Sequence, residues 1–289
     1  MAFIRIDHVM VCVPDLDRGT DTYSRLGFSV HRGGAHPDIG THNAISFFED
    51  DYLELLAIRD ADEFKRNNPW KGIAELVARG GGLRYIVPQS DNLEADINAM
   101  RLRGVDIGKI YEGKRLHPDG RVLRWKGAAL GPRHSLPMFF IEHITPVADR
   151  RPQLVLPHPN SVHRIERAHI AVTDLASAAR EYERVLNQKP KMERGTVIMA
   201  DMAIFQLGAS AIVLAQPYAA GVTADALARN GAGPFQLLFR TKNMGAAAKW
   251  MAEHGVPPPA RVTRNTGEQA MLIPPEQASG VYIGFFGPP

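Results

Sequence analysis

One short pattern recurs four times along the chain and constrains its fold more than any other feature. Each copy reads as an apolar strand, a residue that can cap a helix, a helix and, in three copies, a closing glycine. The four strands begin at Arg5, Leu83, Ala168 and Phe235. In the first copy, Asp15 or Asp17 can cap the helix and Gly27 closes it. Four copies of one signature predict a repeated structural module.

Three further strands complete the first module, at 28–32, 41–48 and 52–58, with a glycine-rich loop at 33–40. The module is therefore βαβββ, and we expect an α+β fold of paired βαβββ modules, four in all. Because 289 residues exceed a usual domain of about 100–200 residues, two domains are expected. Their predicted ranges are 1–145 and 161–289, joined by a proline-rich linker at 146–160.

Composition excludes several classes of function. The net charge of +3 is small and evenly spread, which disfavours a nucleic-acid partner. No apolar run approaches the ~20 residues of a membrane span, and the amino terminus lacks a signal-peptide core, so we expect a cytoplasmic protein. Cys12 is the single cysteine, which excludes intramolecular disulfides and cysteine-rich zinc sites. A bound metal would therefore need histidine and carboxylate ligands.

Alternating side chains on three strands are expected to face one cleft, because the first and fourth strands of a βαβββ module lie side by side. The first strand contributes His8, Met10 and Cys12. The fourth strands of modules one and two contribute Tyr52, Glu54 and Leu56, and Met138, Phe140 and Glu142, respectively. One imidazole and two carboxylates in an apolar cleft suit a divalent metal with open positions. The alternative is a structural interpretation, in which His8 is a core histidine and both glutamates pair with arginines.

Five motifs in order carry a family resemblance. They are Asp7-His8 before Pro14-Asp15-Leu16, Gly33-Gly34-x-His36-Pro37, Gly40-Thr41-His42-Asn43-Ala44, Tyr52-Leu53-Glu54-Leu55 and Phe139-Phe140-Ile141-Glu142. Together they resemble the glyoxalase-like branch of the vicinal oxygen chelate superfamily, which includes glyoxalase I and extradiol ring-cleaving dioxygenases. The resemblance covers residues 1–145 and, more loosely, 161–289. It is more specific for the fold than for the reaction.

The resemblance implies a metal site at His8, Glu54 and Glu142, holding one divalent ion whose identity (Fe, Mn, Ni, Co or Zn) stays open. The fourth family position falls near residues 82–84, where no side chain can bind a metal. Glyoxalase I uses four protein ligands and extradiol enzymes use two histidines and one glutamate, so this chain matches neither set. One of three histidines, or water, would complete the shell: His36, His42 or His143.

Substrate contacts are expected from the loop histidines and from the strand facing them. His36, His42 and Asn43 stand in or beside the glycine-rich loop, and Phe140 contributes to the apolar wall. Arg84 occupies the vacated ligand position and suits a substrate carboxylate. A turn-shaping role for His36, a backbone hydrogen bond for Asn43 and a structural ion pair for Arg84 are the alternatives.

The second half departs from the family pattern. Arg167, Leu214 and Gly284 stand near the positions of the ligands, and these residue types cannot hold a divalent ion. We expect this half to bind no metal and to fill its own pocket with Phe239, Met271 and Phe285.

Three functions remain open. The leading hypothesis is a metal-dependent lyase, isomerase or epimerase that stabilises an enolate, with Glu54 or Glu142 as both ligand and base. The second is an Fe(II) ring-cleaving dioxygenase, and the third is a metal-free binding protein. The expected partner is a small-molecule substrate rather than nucleic acid or membrane, and a homodimer is a candidate assembly.

Overall fold

The computed structural model describes residues 3–36, 39–67, 72–117, 119–151, 156–263 and 267–289. Four βαβββ modules follow one another, which confirms the predicted fold class. Module one consists of β1 (Arg5–Cys12), α1 (Leu16–Arg25), β2 (His31–His36), β3 (Thr41–Phe47) and β4 (Tyr52–Ile58). Helices α2 (Ala61–Asn67) and α3 (Ile73–Ala78) lead to module two, which consists of β5 (Gly82–Gln89), α4 (Leu93–Leu102), β6 (Tyr111–Leu116), β7 (Val122–Ala129) and β8 (Phe139–His143).

The second half repeats this plan. A short helix, α5 (Val147–Arg150), precedes module three, which consists of β9 (Val162–Ala171), α6 (Leu175–Leu186), β10 (Lys191–Gly195), β11 (Ala200–Leu207) and β12 (Ser210–Pro217). Helix α7 (Val222–Asn230) leads to module four, which consists of β13 (Gly233–Thr241), α8 (Met244–Glu253), β14 (Val262–Thr263), β15 (Gln269–Ile273) and β16 (Tyr282–Gly287). The domain ranges 1–145 and 161–289 stay a prediction, although each half builds its own sheet.

The first eight strands close into a barrel in the order β1-β4-β3-β2-β6-β7-β8-β5. Strands β1 and β4 are parallel neighbours, with His8 opposite Tyr52 and Met10 opposite Glu54. Among the residues that the structure describes, Ala35 pairs with Leu116, and this pairing of β2 with β6 closes the barrel. The last eight strands form an open sheet in the order β10-β11-β12-β9-β13-β16-β15-β14, which we call the second sheet.

The same kind of cap starts the main helix of each module. Asp15, Asn92, Asp174 and Asn243 each accept a hydrogen bond from the backbone N–H three residues later. Such caps satisfy one of the free N–H groups at a helix start and stabilise it by about 0.5–2 kcal/mol. The repeated signature therefore has a direct physical cause.

Strand β2 differs from the sequence-based expectation, which placed a strand at 28–32 and a loop at 33–40. The strand instead spans His31–His36 and includes Gly33 and Gly34. A Cβ on Gly33 would lie 2.6 Å from Nη1 of Arg115, so a glycine allows β2 to pass close to the polar side chains of the barrel. Pro37, part of the expected loop, lies outside the described residues.

The two halves share one apolar core. Phe28 packs against Phe239 and Phe285 of the second sheet, with ring centroids 5.0 and 5.8 Å away. Phe239, Phe285 and Met271 are cross-strand neighbours and all belong to this shared core. The prediction that these three residues fill a pocket of the second half was therefore wrong. Register shifts along β13 change which of its side chains point toward the shared core. A prediction based on strict alternation along the strand does not anticipate such shifts.

The opposite face of the second sheet is filled by other residues. Met202, Val213 and Phe235 pack there with Ala226 of helix α7. None of the helices in the described ranges is both long and apolar enough to cross a membrane.

Candidate active site in the barrel

A cavity of about 830 Å³ lies inside the barrel. Its apolar wall is formed by the following side chains: Met10, Ile45, Phe47, Leu123, Trp125, Met138, Phe139 and Ile141. Its polar residues include His8, His36, Asn43, Tyr52 and Glu54. An apolar cavity with a few convergent polar groups is the usual form of a small-molecule site.

Glu54 stands at the centre of the polar cluster and is 5% exposed. The side-chain amide of Asn43 donates to Glu54 Oε1 at 2.6 Å. Nε2 of His8 lies 3.5 Å from Glu54 Oε2, and Nε2 of His36 lies 3.9 Å from Glu54 Oε1. Two imidazoles therefore approach the two oxygens of one buried carboxylate.

Asp7 fixes the orientation of His8. Its Oδ2 lies 2.8 Å from Nδ1 of His8 and its Oδ1 lies 2.7 Å from Nε2 of His143. Because a carboxylate can only accept, Nδ1 of His8 donates its proton to Asp7, and Nε2 at the other end of the ring faces Glu54. Burial raises the pKa of Asp7, but the hydrogen bonds and charges of His143 and His8 outweigh it and hold the pKa well below its usual range.

Sequence alternation missed Asp7 because adjacent residues of a regular strand face opposite ways. Strand β1 has a register shift here: Ile6 pairs with Pro88 and His8 pairs with Val87, so Asp7 is an extra residue. Such bulges redirect side chains and frequently lie beside functional sites. The adjacent Asp-His pair was visible in the sequence, but the bulge was not.

His36 is oriented by a hydroxyl. Its Nδ1 lies 2.9 Å from Oγ1 of Thr41, which leaves Nε2 directed toward Glu54. Burial lowers the pKa of His36 to about 4 despite the opposing charge of Glu54. The imidazole is therefore neutral at neutral pH, the state in which histidine binds metals.

Two arginines that the sequence analysis did not select also line the cavity. Arg115 of β6 is 7% exposed, and its Nη1 donates to Asn43 Oδ1 at 3.3 Å. Arg150 of α5 approaches His143, with Nη1 2.8 Å from Nε2. Both come from positions distant in sequence from β1 and β4, so no local pattern pointed to them.

Glu142 and Phe140 do not face the cavity, contrary to expectation. Glu142 accepts the backbone N–H of Leu93 at 2.8 Å and pairs with Lys126 at 3.1 Å, while Phe140 belongs to the shared core. The carboxylate thus stabilises the start of helix α4, where the helix dipole favours negative charge. Because both faces of this strand are apolar, alternation could not decide which face points inward.

His42 and Arg84 had been predicted to contact a substrate. His42 is not among the cavity-lining residues, because only alternate residues of β3 (Asn43, Ile45 and Phe47) point inward. Arg84 does line the cavity, and its guanidinium lies 4.3 Å from the ring centre of Tyr85.

The chemistry of the donors fits a metal ion, although the geometry is open. Among the described residues, no group of three or more His, Cys, Asp or Glu side chains meets the geometry of a formed metal site. His8, His36 and Glu54 nevertheless present two imidazole nitrogens and one carboxylate, and the far nitrogen of each ring is held by Asp7 or Thr41. Such outer hydrogen bonds typically fix metal-binding histidines.

The second sheet offers different residues at the corresponding places. Leu214 lies in the shared core, so Val213 takes the position facing His169, and Gly284 lies beneath Leu238. Burial, together with the charge of Arg167, lowers the pKa of His169 to about 3. The absence of a metal from this half stays a prediction.

The barrel of paired βαβββ modules has the fold of the vicinal oxygen chelate superfamily. The chain belongs to the family described as glyoxalase-like domain, whose model matches residues 6–186, more than half of its length. A second model, described as Glyoxalase/Bleomycin resistance protein/Dioxygenase superfamily, matches residues 167–271. No curated protein matches the chain.

Solved structures with the same fold differ widely in sequence. A hypothetical protein from Staphylococcus aureus is 12% identical with a TM-score of 0.69, over 98% of both chains. A mutant 4-hydroxymandelate synthase from Streptomyces coelicolor is 12% identical with a TM-score of 0.66, over 99% of this chain and 93% of that one. A xylose isomerase-like TIM barrel/4-hydroxyphenylpyruvate dioxygenase fusion protein is 13% identical with a TM-score of 0.62, over 99% of this chain and 49% of that one. At these identities the likeness establishes the fold alone.

Proposed function

We propose that the barrel cavity is the active site of a metal-dependent enzyme that acts on a small substrate with adjacent oxygen atoms. His8, His36 and Glu54 are the proposed metal ligands. The observation that carries this proposal is the approach of two Nε2 atoms, at 3.5 and 3.9 Å, to the two oxygens of the buried Glu54 carboxylate. A buried carboxylate is costly to desolvate unless a cation or hydrogen bonds compensate it, and a divalent ion between these donors would do so.

The donor set suits several first-row metals and does not select one. A bound ion would polarise a substrate oxygen and stabilise negative charge that develops on it. The side chains supply the remaining functions. Asp7 and Thr41 hold the two imidazoles in orientation, and Asn43 holds one oxygen of Glu54.

Proton transfer is the reaction type that these residues support best. With Glu142 turned toward helix α4, Glu54 is the buried carboxylate of the cavity, and its Oε2 can accept a proton from carbon next to a substrate carbonyl. The apolar wall limits the water that could compete for that proton.

A specific observation favours a second candidate, an Fe(II) oxygenase. His36 brings the donor set to two imidazoles and one carboxylate, which is the set that non-haem Fe(II) oxygenases use. One of the structures with this fold also carries dioxygenase in its name.

Metal analysis comes first in the test. Protein purified without chelator or metal-affinity tag should contain a divalent metal, and chelator-treated protein should bind Mn²⁺ or Zn²⁺ with one-to-one stoichiometry by calorimetry. Protein that binds no divalent ion would overturn the proposal and favour the metal-free binding protein. Catalysed deuterium exchange into phenylpyruvate would support proton transfer, whereas oxygen uptake by Fe(II)-loaded protein with catechol would support the oxygenase.

A further inference from the structure

Arg150 lies at the cavity wall with its hydrogen-bonding capacity poorly used. Its Nε is buried and has no partner among the described residues. Its Nη1 lies 2.8 Å from Nε2 of His143, which itself lies 2.7 Å from Asp7 Oδ1. Because the carboxylate only accepts, Nε2 of His143 carries its proton toward Asp7 and cannot also accept from Arg150. The buried Nε–H of this guanidinium therefore lacks an acceptor among the described residues, which costs free energy until an acceptor binds.

Arg115 belongs to the same part of the cavity. Burial lowers the pKa of Arg115, the charges of Tyr52 and Glu54 raise it, and the neighbouring charge of Arg150 lowers it further. Burial likewise lowers the pKa of Arg150, against the opposing charges of Asp7 and Tyr52. Both guanidinium groups line the same cavity as Tyr52, whose ring stacks on His8 with centroids 4.5 Å apart. An anion bound in this cavity would offset the positive charge of both groups.

The charge of the cavity also favours an anion. Among the described residues that line it, five side chains are basic and two are acidic. The basic ones are Arg84, Lys114, Arg115, Arg124 and Arg150, and the acidic ones are Glu54 and Glu112. The remaining wall is largely apolar and includes the flat rings of Phe47, Trp125 and Phe139. The volume of about 830 Å³ is far larger than a two-carbon or three-carbon acid requires.

We propose that Arg115 and Arg150 form a carboxylate-binding subsite, and that the substrate is an organic acid with a flat apolar body. The carboxylate binds between the two guanidinium groups, and the apolar body lies against the aromatic wall. The forked N–H groups of arginine match the two oxygens of a carboxylate. The assignment of this acid as substrate rests on the proposed function, whereas the anion subsite itself requires no metal.

Calorimetry on the intact, chelator-treated protein tests the subsite, with 2-naphthoate and the uncharged 2-naphthamide as matched probes. The acid should bind at least about tenfold more tightly than the amide. Arg150→Gln and Arg115→Gln should each weaken acid binding by about tenfold and leave amide binding unchanged. Arg124→Gln is the control, because Arg124 lines the cavity at an exposed position; its acid affinity should stay within about threefold of wild type.

Arg115 is buried, so its variant is interpreted only if its circular dichroism and melting temperature match wild type. Arg150→Gln is less disruptive to the fold, because Arg150 lies on a short exposed helix. Equal binding of acid and amide, or unchanged acid binding in Arg150→Gln, would overturn the subsite. Inorganic phosphate competing as tightly as the acid would overturn the requirement for an apolar body. Metal stoichiometry is measured on the same wild-type samples: wild-type protein that binds one divalent ion but shows no preference for the acid refutes this inference alone, and wild-type protein that prefers the acid but binds no divalent ion refutes the metal site alone.

Discussion

The Asp7 carboxylate lies 2.8 Å from Nδ1 of His8, the next residue along strand β1, because a bulge brings both side chains into one polar network. This pairing orients the His8 ring and directs Nε2 toward Glu54. The site therefore depends on a residue that would not bind the metal itself.

Replacing Asp7 by Asn should lower metal affinity by about 10–100-fold, as is typical when an outer hydrogen-bond acceptor of a metal-binding histidine is removed. Calorimetric titration of chelator-treated protein with Zn²⁺ measures the change. Asp50→Asn is the matched control, since Asp50 is exposed and pairs with Arg5 outside the cavity. Equal affinities in wild type and Asp7→Asn would show that Asp7 does not position His8.

Asp51 predicts a pH dependence of stability. Both of its side-chain oxygens lie 3.2 Å from the backbone nitrogen of Ile165 in the second sheet. Burial raises the pKa of Asp51 to about 8 from the ordinary 3.8, only partly opposed by the Ile165 N–H group. The native state thus favours the protonated acid. Its contribution to stability is fully present below about pH 4 and is lost as the pH rises through about 8.

Asp51→Asn should therefore gain stability relative to wild type as the pH rises from about 5 to 9, by a few degrees in melting temperature. Differential scanning fluorimetry across this range measures the difference. A difference between the two proteins that stays constant with pH would mean that Asp51 is ionised in the native state.

Phe28 links the two halves, so its truncation should destabilise both. Phe28 is 2% exposed and contacts Phe239 and Phe285. Phe28→Ala should lower the free energy of unfolding by about 3–5 kcal/mol while unfolding stays a single transition. Leu102→Ala is the control, because Leu102 is 90% exposed and its loss should change stability by less than about 0.5 kcal/mol. A loss below about 1 kcal/mol for Phe28→Ala in urea titrations would argue against a shared core.

Much of the fold followed from local chemistry. The four modules were predictable because each begins with a strand and a capped helix, and the inward face of β1 was predictable because Val9 and Val11 alternate with His8 and Met10. Local sequence patterns could not predict the features that depend on the register between strands. The bulge at Asp7, the inward face of β8 and the bulges of β13 all depend on how neighbouring strands pair.

Only part of the candidate site could be predicted from the sequence, for the same reason. His8 and Glu54 lie on strands that pair directly, so the alternation of side chains along each strand was enough to predict that they face the same cavity. Phe139, Phe140 and Ile141 are apolar on both faces of β8, so nothing in that strand showed that Glu142 points outward. Arg115 and Arg150 reach the cavity only through closure of the barrel, a long-range event with no short sequence signal.

The second sheet should bind no metal. Val213 and Gly284 lie near the corresponding places, and His169 is buried beside Phe235. His169→Ala should therefore leave metal stoichiometry at one ion per chain, equal to wild type, when measured by elemental analysis. Two ions in wild type and one in His169→Ala would refute the asymmetry between the halves.

Metal stoichiometry in a matched pair of glutamine variants tests the central claim most directly. Glu54→Gln and Glu142→Gln each remove one of the two carboxylates that the family resemblance marked. Of these two carboxylates, only that of Glu54 faces the cavity. Elemental analysis after equilibration with Zn²⁺ and removal of unbound ion should give one ion per chain in wild type and Glu142→Gln, and none in Glu54→Gln. A Glu54→Gln variant that keeps its ion, or a folded Glu142→Gln variant that loses it, would contradict a metal site built on His8, His36 and Glu54.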